Sequence, residues 1–279
     1  MNKKKLILLF AMILAISATP QKAKLFIGAT AHLGNGEVIQ NAAISIKKGK
    51  FDLIADASMI RIDPNAFDTI YKIYGKHLYP GFILPNTILG ITEIDAVRAT
   101  RDYKETGEIN PNIRSLIAYN TDSKISKTVR SNGILIAQIT PRGGLISGQS
   151  SIVHLDGANW EDAVIKSNDG IHINWPKSYY TTGWWGNPGE TKENEEYQNK
   201  INELEKSFSK AKAYQEVSGI VDLKMESMKG LFDGSKKLYI HSNNVNEIRD
   251  AINFAEKYTI QKIVIIGGED ALSISEMLV

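Results

Sequence analysis

Apolar and polar positions change rhythm twice along this chain. The first stretch is Lys3, Lys4 and Lys5, then an apolar run from Leu6 to Ile16, then the small residues Ser17 and Ala18. That order of charge, apolar run and small residues is a cleavable export signal, with Ala15 and Ser17 three and one residues before a cut after Ser17. The run is shorter than the roughly 20 apolar residues a spanning helix needs. The membrane is therefore met only through this signal, residues 1–22 are excluded from the fold, and the expected location is periplasmic or extracellular. An uncleaved anchor is the alternative.

From Lys24 to Ile70 the runs are short and alternating, as in Ala43-Ile44-Ser45-Ile46, with turn signals at Gly34-Asn35-Gly36 and Lys48-Gly49-Lys50. This predicts antiparallel strands of a small sheet over residues 23–79. After Tyr79-Pro80-Gly81, apolar runs of strand length alternate with segments of helical spacing over residues 80–279. Gly133 to Ile139, Lys237 to Ile240 and Lys262 to Ile266 read as buried strands. Between the last two, Ile248, Ala251, Ile252 and Ala255 share a helical face, which makes a β-α-β unit. Parallel strands with crossover helices follow, as in an α/β barrel or an open sheet. Residues 190–217 predict a charged surface helix with the stripe Tyr197, Ile201, Leu204, Phe208 and Ala211 and with Thr191 as its N-cap.

Composition narrows the chemistry. With no cysteine among 279 residues, an exported chain has no disulfide framework and no thiolate, so any metal site needs His, Asp, Glu or modified Lys. The net charge of +2 carries no dense basic stripe, and nucleic acid is not an expected partner. The 43% hydrophobic content is ample for a buried core.

The segment Gly75-Lys76-His77-Leu78-Tyr79-Pro80-Gly81-Phe82-Ile83-Leu84-Pro85-Asn86-Thr87-Ile88-Leu89-Gly90 resembles the first barrel strand of the amidohydrolase superfamily. Two further blocks resemble its imidazolonepropionase-like branch. One runs from Asn110-Pro111 through Ser131-Asn132-Gly133 to Ile146-Ser147-Gly148-Gln149, the other from Asp222-Leu223-Lys224-Met225 through Ile240-His241-Ser242-Asn243 to Ile266-Gly267-Gly268-Glu269-Asp270. The resemblance implies a (β/α)8 TIM-barrel fold with a small N-terminal β-sandwich and an active site at the C-terminal ends of the barrel strands. It also implies two more strand-helix units than the chain carries before Val279, so the barrel is expected to be incomplete here.

In that superfamily one or two divalent ions activate a water and polarise the carbonyl under attack. The resemblance places the first-strand histidines at Asn86 and Ile88, the preceding Asp at Leu84 and the sixth-strand histidine at Gly267, so the metal motif is degenerate. The fifth-strand histidine is matched by His241, the candidate metal ligand and catalytic group. Asn86 and His172 are the other candidate catalytic residues. No cofactor is certain from the sequence; the implied candidate is a divalent metal such as zinc. For His241 and His172 the structural alternative is a satisfied histidine, and His32, His77 and His154 show no pairing pattern. Gly143, Gly144 and Gly148 read as a turn before the next strand. Trp175, Tyr179, Tyr180, Trp184 and Trp185 form an aromatic loop, and Arg98, Arg101, Asp102 and Glu105 an ion-pair cluster.

Three functions stay open. One is a hydrolase of amide or other C–N bonds, with a small-molecule or peptide-like substrate and an altered metal site. Another is a non-catalytic relative that binds a small molecule or peptide. The last is a structural subunit, as a homo-oligomer or paired with a complete homologue.

Overall fold

The computed structural model describes residues 22–214 and 221–278; the expected export signal lies outside them. The chain divides into two compact units, one ending at Pro80 and the next beginning at Gly81.

In the first unit, β1 (Ala23–His32), β2 (Val38–Lys47), β3 (Lys50–Asp56), β4 (Phe67–Lys72) and β5 (His77–Leu78) make one sheet in the order β3-β2-β1-β4, with β5 also on β1. Lys48 and Gly49 between β2 and β3 both have positive φ, the backbone of a two-residue hairpin turn whose twist matches the strands. The sheet is mixed, not antiparallel throughout, because β4 and β5 run parallel to β1. Residues 57–66, with a 3-10 turn at Pro64–Ala66 capped by Asp63, carry the chain to the far side of β1 before β4 begins. Leu25, Ala29 and Ala31 of β1 are buried with Ala42, Ala43 and Ile44 of β2.

The second unit contains β6 (Phe82–Thr87), α1 (Lys124–Ser131), β7 (Ile134–Ile139), β8 (Ile146–His154), α2 (Trp160–Ala163) and β9 (Val164–Asn174). The hairpin β10 (Tyr179–Trp184) and β11 (Asn187–Glu193) follows, then α3 (Tyr197–Tyr214), α4 (Leu223–Phe232), β12 (Lys237–Ser242), α5 (Val245–Lys257) and β13 (Ile263–Gly267). Six strands form a curled, half-barrel sheet in the order β13-β12-β9-β8-β7-β6. The pairs β6/β7, β9/β12 and β12/β13 are parallel, but β8 runs antiparallel to both neighbours. That corrects the expectation of parallel strands throughout. Residues 140–145 between β7 and β8 are too few for a crossover helix, which needs a dozen or more residues, so the chain turns straight back.

Alternation along the strands separates two environments. Ile171 and Ile173 of β9 and Leu238 and Ile240 of β12 face Leu204, Phe208 and Ala211 of α3 and Ala251, Phe254 and Ala255 of α5 in one buried cluster. Each large side chain fully buried there contributes about 1.5–3 kcal/mol relative to exposure. The intervening His172, Tyr239 and His241 therefore fall on the opposite face. Thr191 does not cap α3. It lies in β11 opposite Thr181, and α3 starts at Tyr197, where Asn194 Oδ1 accepts the Glu196 N–H at 3.1 Å.

Candidate active site

His172 and His241 come together at the C-terminal half of β9 and β12, with His172 Nδ1 3.0 Å from His241 Nε2. His172 is fully buried, and its ring stacks on that of Tyr239 at 4.4 Å between centroids and 5° between planes. Gly170 makes this stack feasible: a Cβ there would stand 2.4 Å from Lys237 O and 2.5 Å from the Tyr239 ring. Burial, then the neighbouring His241 and Arg142 charges, holds the His172 imidazole well below its ordinary range. Burial, then Arg142, lowers His241 to about 4. Both rings are neutral at pH 7.

Beneath the pair the Tyr239 hydroxyl donates to Asp169 Oδ2, while Lys166 Nζ stands 2.6 Å and Lys237 Nζ 3.6 Å from the same carboxylate. Burial raises the Asp169 pKa, but its bonds to Lys166 and Tyr239 and the charges of Lys237 and Lys166 outweigh that and bring it below the ordinary value. Tyr239 is pushed up by burial and then by Asp169, so it stays a phenol.

Asn86 lies at the end of β6 with φ +51°. Its N–H donates to Gln138 Oε1 at 3.1 Å, its Oδ1 accepts from Arg142 Nη1 at 2.5 Å, and its carbonyl accepts from Arg142 Nη2 at 2.7 Å. Leu84 and Ile88, which flank it at the expected ligand positions, pack against a core cluster with Leu89, Ile91 and Ile139. Gly267 ends β13 with φ +92°, and a Cβ there would stand 2.0 Å from Asn243 Oδ1. A histidine there would take a strained backbone conformation and displace the Asn243 side chain.

These residues do not fit the divalent ion that the resemblance implies. Among the described residues no three His, Cys, Asp or Glu side chains converge on one point. The paired imidazoles turn one nitrogen each toward the other, and the Asn86 amide oxygen is already held by a guanidinium. A zinc site takes three or four protein ligands. What the arrangement offers is a fixed cation, Arg142, near two neutral imidazoles.

A cavity of about 770 Å³ opens at the same end of the sheet, with His241, Ser242, Asn174, Tyr179, Glu247 and Asp270 in its wall. The expected aromatic loop divides here. Trp175 is buried, edge-on to Phe254 at 5.4 Å, whereas Trp184 and Trp185 are exposed on the β10–β11 hairpin. Arg98, Arg101, Asp102 and Glu105 do not form the expected ion-pair cluster; none of them takes part in an ion pair among the described residues. They line surface cavities with Tyr103 and Lys104 instead. His32 and His77 show no pairing pattern in the sequence, yet β5 beside β1 brings His32 Nε2 within 3.0 Å of His77 Nδ1 on an exposed face. Reading the sequence also missed Arg142, Asp169 and Tyr239. For Tyr239 a signal existed, since it stands two residues before His241 and hence on the same face of a strand.

No protein-family model and no curated protein matches the chain. An amidohydrolase from Thermotoga maritima MSB8, solved by crystallography, superposes with a TM-score of 0.74 and 20% sequence identity over 91% of this chain and 67% of its own. The chain thus has the fold of an amidohydrolase over nearly all of its length.

Proposed function

We propose that this chain is an exported amidohydrolase-type hydrolase of the imidazolonepropionase-like branch, acting on C–N bonds of small or peptide-like amides through an altered site. The observation that carries the reading is the neutral His172–His241 pair beside Arg142, at the strand ends where this fold type places its chemistry. A neutral imidazole accepts the proton of a water as the water oxygen attacks the amide carbonyl carbon. The guanidinium of Arg142 stabilises the oxygen as it gains negative charge. The C–N bond then breaks and the imidazole returns the proton to the leaving nitrogen. A histidine at about 4 is a weak base, so slow turnover is expected.

A second reading is supported by Leu84 and Ile88, apolar residues packed against the core, and by Asn86 bound to Arg142: a non-catalytic relative that holds a small molecule or peptide at the strand ends, alone or beside a complete homologue. The deciding experiment assays amides, lactams and dipeptides with purified protein and its His241→Ala variant, with added zinc or manganese and with chelator, and measures bound metal per chain. Chelator-resistant hydrolysis lost in the variant supports the hydrolase. No turnover under any of these conditions leaves the binding protein.

A further inference from the structure

We propose that Arg142, braced by Asn86, is the binding site for a carboxylate group on a small ligand. The inference deepens the hydrolase reading by naming an acidic substrate class, and it holds for a binding protein as well. A guanidinium has five N–H donors. Its two bonds to the oxygens of Asn86 fix its plane and leave further N–H donors on a half-buried side chain. Asn86 is neutral, and none of the ion pairs among the described residues includes Arg142. The nearby imidazoles could add only positive charge, and the guanidinium in turn disfavours their protonation. A half-buried cation without an anion is unfavourable, and the planar fork of arginine matches a carboxylate through two parallel bonds.

The backbone holds the group still. Arg142 N–H donates to Tyr103 O at 2.7 Å, and Thr140 N–H to Thr87 O at 2.8 Å. Gly143 and Gly144 follow with positive φ, and a Cβ on Gly144 would stand 2.8 Å from Glu108 O. A turn with no other task would not need a charged residue aimed back at the end of β6.

The test compares N-acetylglycine with its neutral amide N-acetylglycinamide in calorimetric titrations of the intact protein and of two variants. Arg142→Gln removes the charge; Asn86→Asp keeps the side-chain shape and neutralises the guanidinium in place. The expected result is about tenfold or more preference for the carboxylate in the parent protein and loss of that preference in both variants. Equal binding of the two ligands, no binding of N-acetylglycine, or a preference kept in either folded variant overturns the proposal. Should Arg142→Gln fail to fold, Asn86→Asp decides. Turnover of neutral amides is read separately, so a hydrolase without this carboxylate site and a carboxylate site without hydrolysis give different results.

Discussion

His172 and His241 lie 69 positions apart in sequence, yet their ring nitrogens meet at 3.0 Å across β9 and β12. One inward nitrogen carries the proton and the other accepts it, an arrangement lost when both rings are protonated. Because the folded pKa of His241 is lowered to about 4 from an unfolded value near 6.5, the unfolded chain binds the extra proton first as pH falls. Stability is therefore full above about pH 6.5 and declines as pH drops toward 4, by roughly 3 kcal/mol from this group. Tyr239 stays neutral across that window and Arg142 stays charged. Denaturant unfolding between pH 7 and 4 should show a shallower decline for His241→Asn than for the parent, and parallel declines would contradict the buried neutral pair.

The same lowering sets the acid limb of activity. For the proposed hydrolase, kcat/KM rises through about pH 4 and is level from pH 6 to 8, since the imidazole is already deprotonated there. A limb near pH 6.5 in a pH–rate profile would mean that His241 is not the base.

Asp169 is a fully buried anion of the second unit, held by Tyr239, Lys166 and Lys237. Tyr239→Phe removes one hydrogen bond to a charged group and is expected to cost about 1.5–3 kcal/mol. Asp169→Asn leaves the lysines without their counter-charge and is expected to cost about 3 kcal/mol or more. Urea unfolding of the two variants checks both the size and the order of these losses.

Gly267→His supplies the residue that the superfamily pattern has on the sixth strand. Here it is expected to destabilise by about 2 kcal/mol, since the backbone is at φ +92° and a Cβ would have to displace the Asn243 side chain. Thermal melts with and without zinc should coincide. A zinc-dependent rise in Tm would show that the strand end can be rebuilt into a metal site.

Phe208→Ala opens a cavity between α3 and α5, where Phe208 meets Phe254 edge-on at 4.8 Å. A loss of about 3–5 kcal/mol is expected, read as a lowered midpoint in guanidinium.

Much of the fold was legible where burial imposes a period. The face Ile248, Ala251, Ile252 and Ala255 appears as α5, with Asn244 as its cap, and the stripe through Leu204, Phe208 and Ala211 is the buried face of α3. Strand direction leaves no such trace, since an alternating or apolar run reads the same whichever way its neighbour travels; β8 shows this. Thr191 illustrates another limit. Its cap chemistry is local, but pairing of Thr181 with Thr191 across a hairpin places it in a strand. At the candidate site, His172 and His241 stand out as residue types, whereas Arg142 reads as part of a glycine turn. Its role depends on the register that puts Thr87 beside Ile139, a relation between distant segments that no local pattern contains.

The direct return from β7 to β8 has a consequence for how any ligand is chosen. A residue on a long crossover loop can reach out, close over a guest and adapt to several shapes. Arg142 instead sits in a short reversal pinned at Thr140 to β6, at its own N–H to Tyr103, and at Gly144 O by the Asn174 amide at 2.7 Å. Little ordering entropy remains to be lost when a guest arrives. At the proposed carboxylate site selection would then be by rigid template: a guest with its acidic group at the wrong distance from the rest of its frame is refused, because the cation cannot travel to meet it.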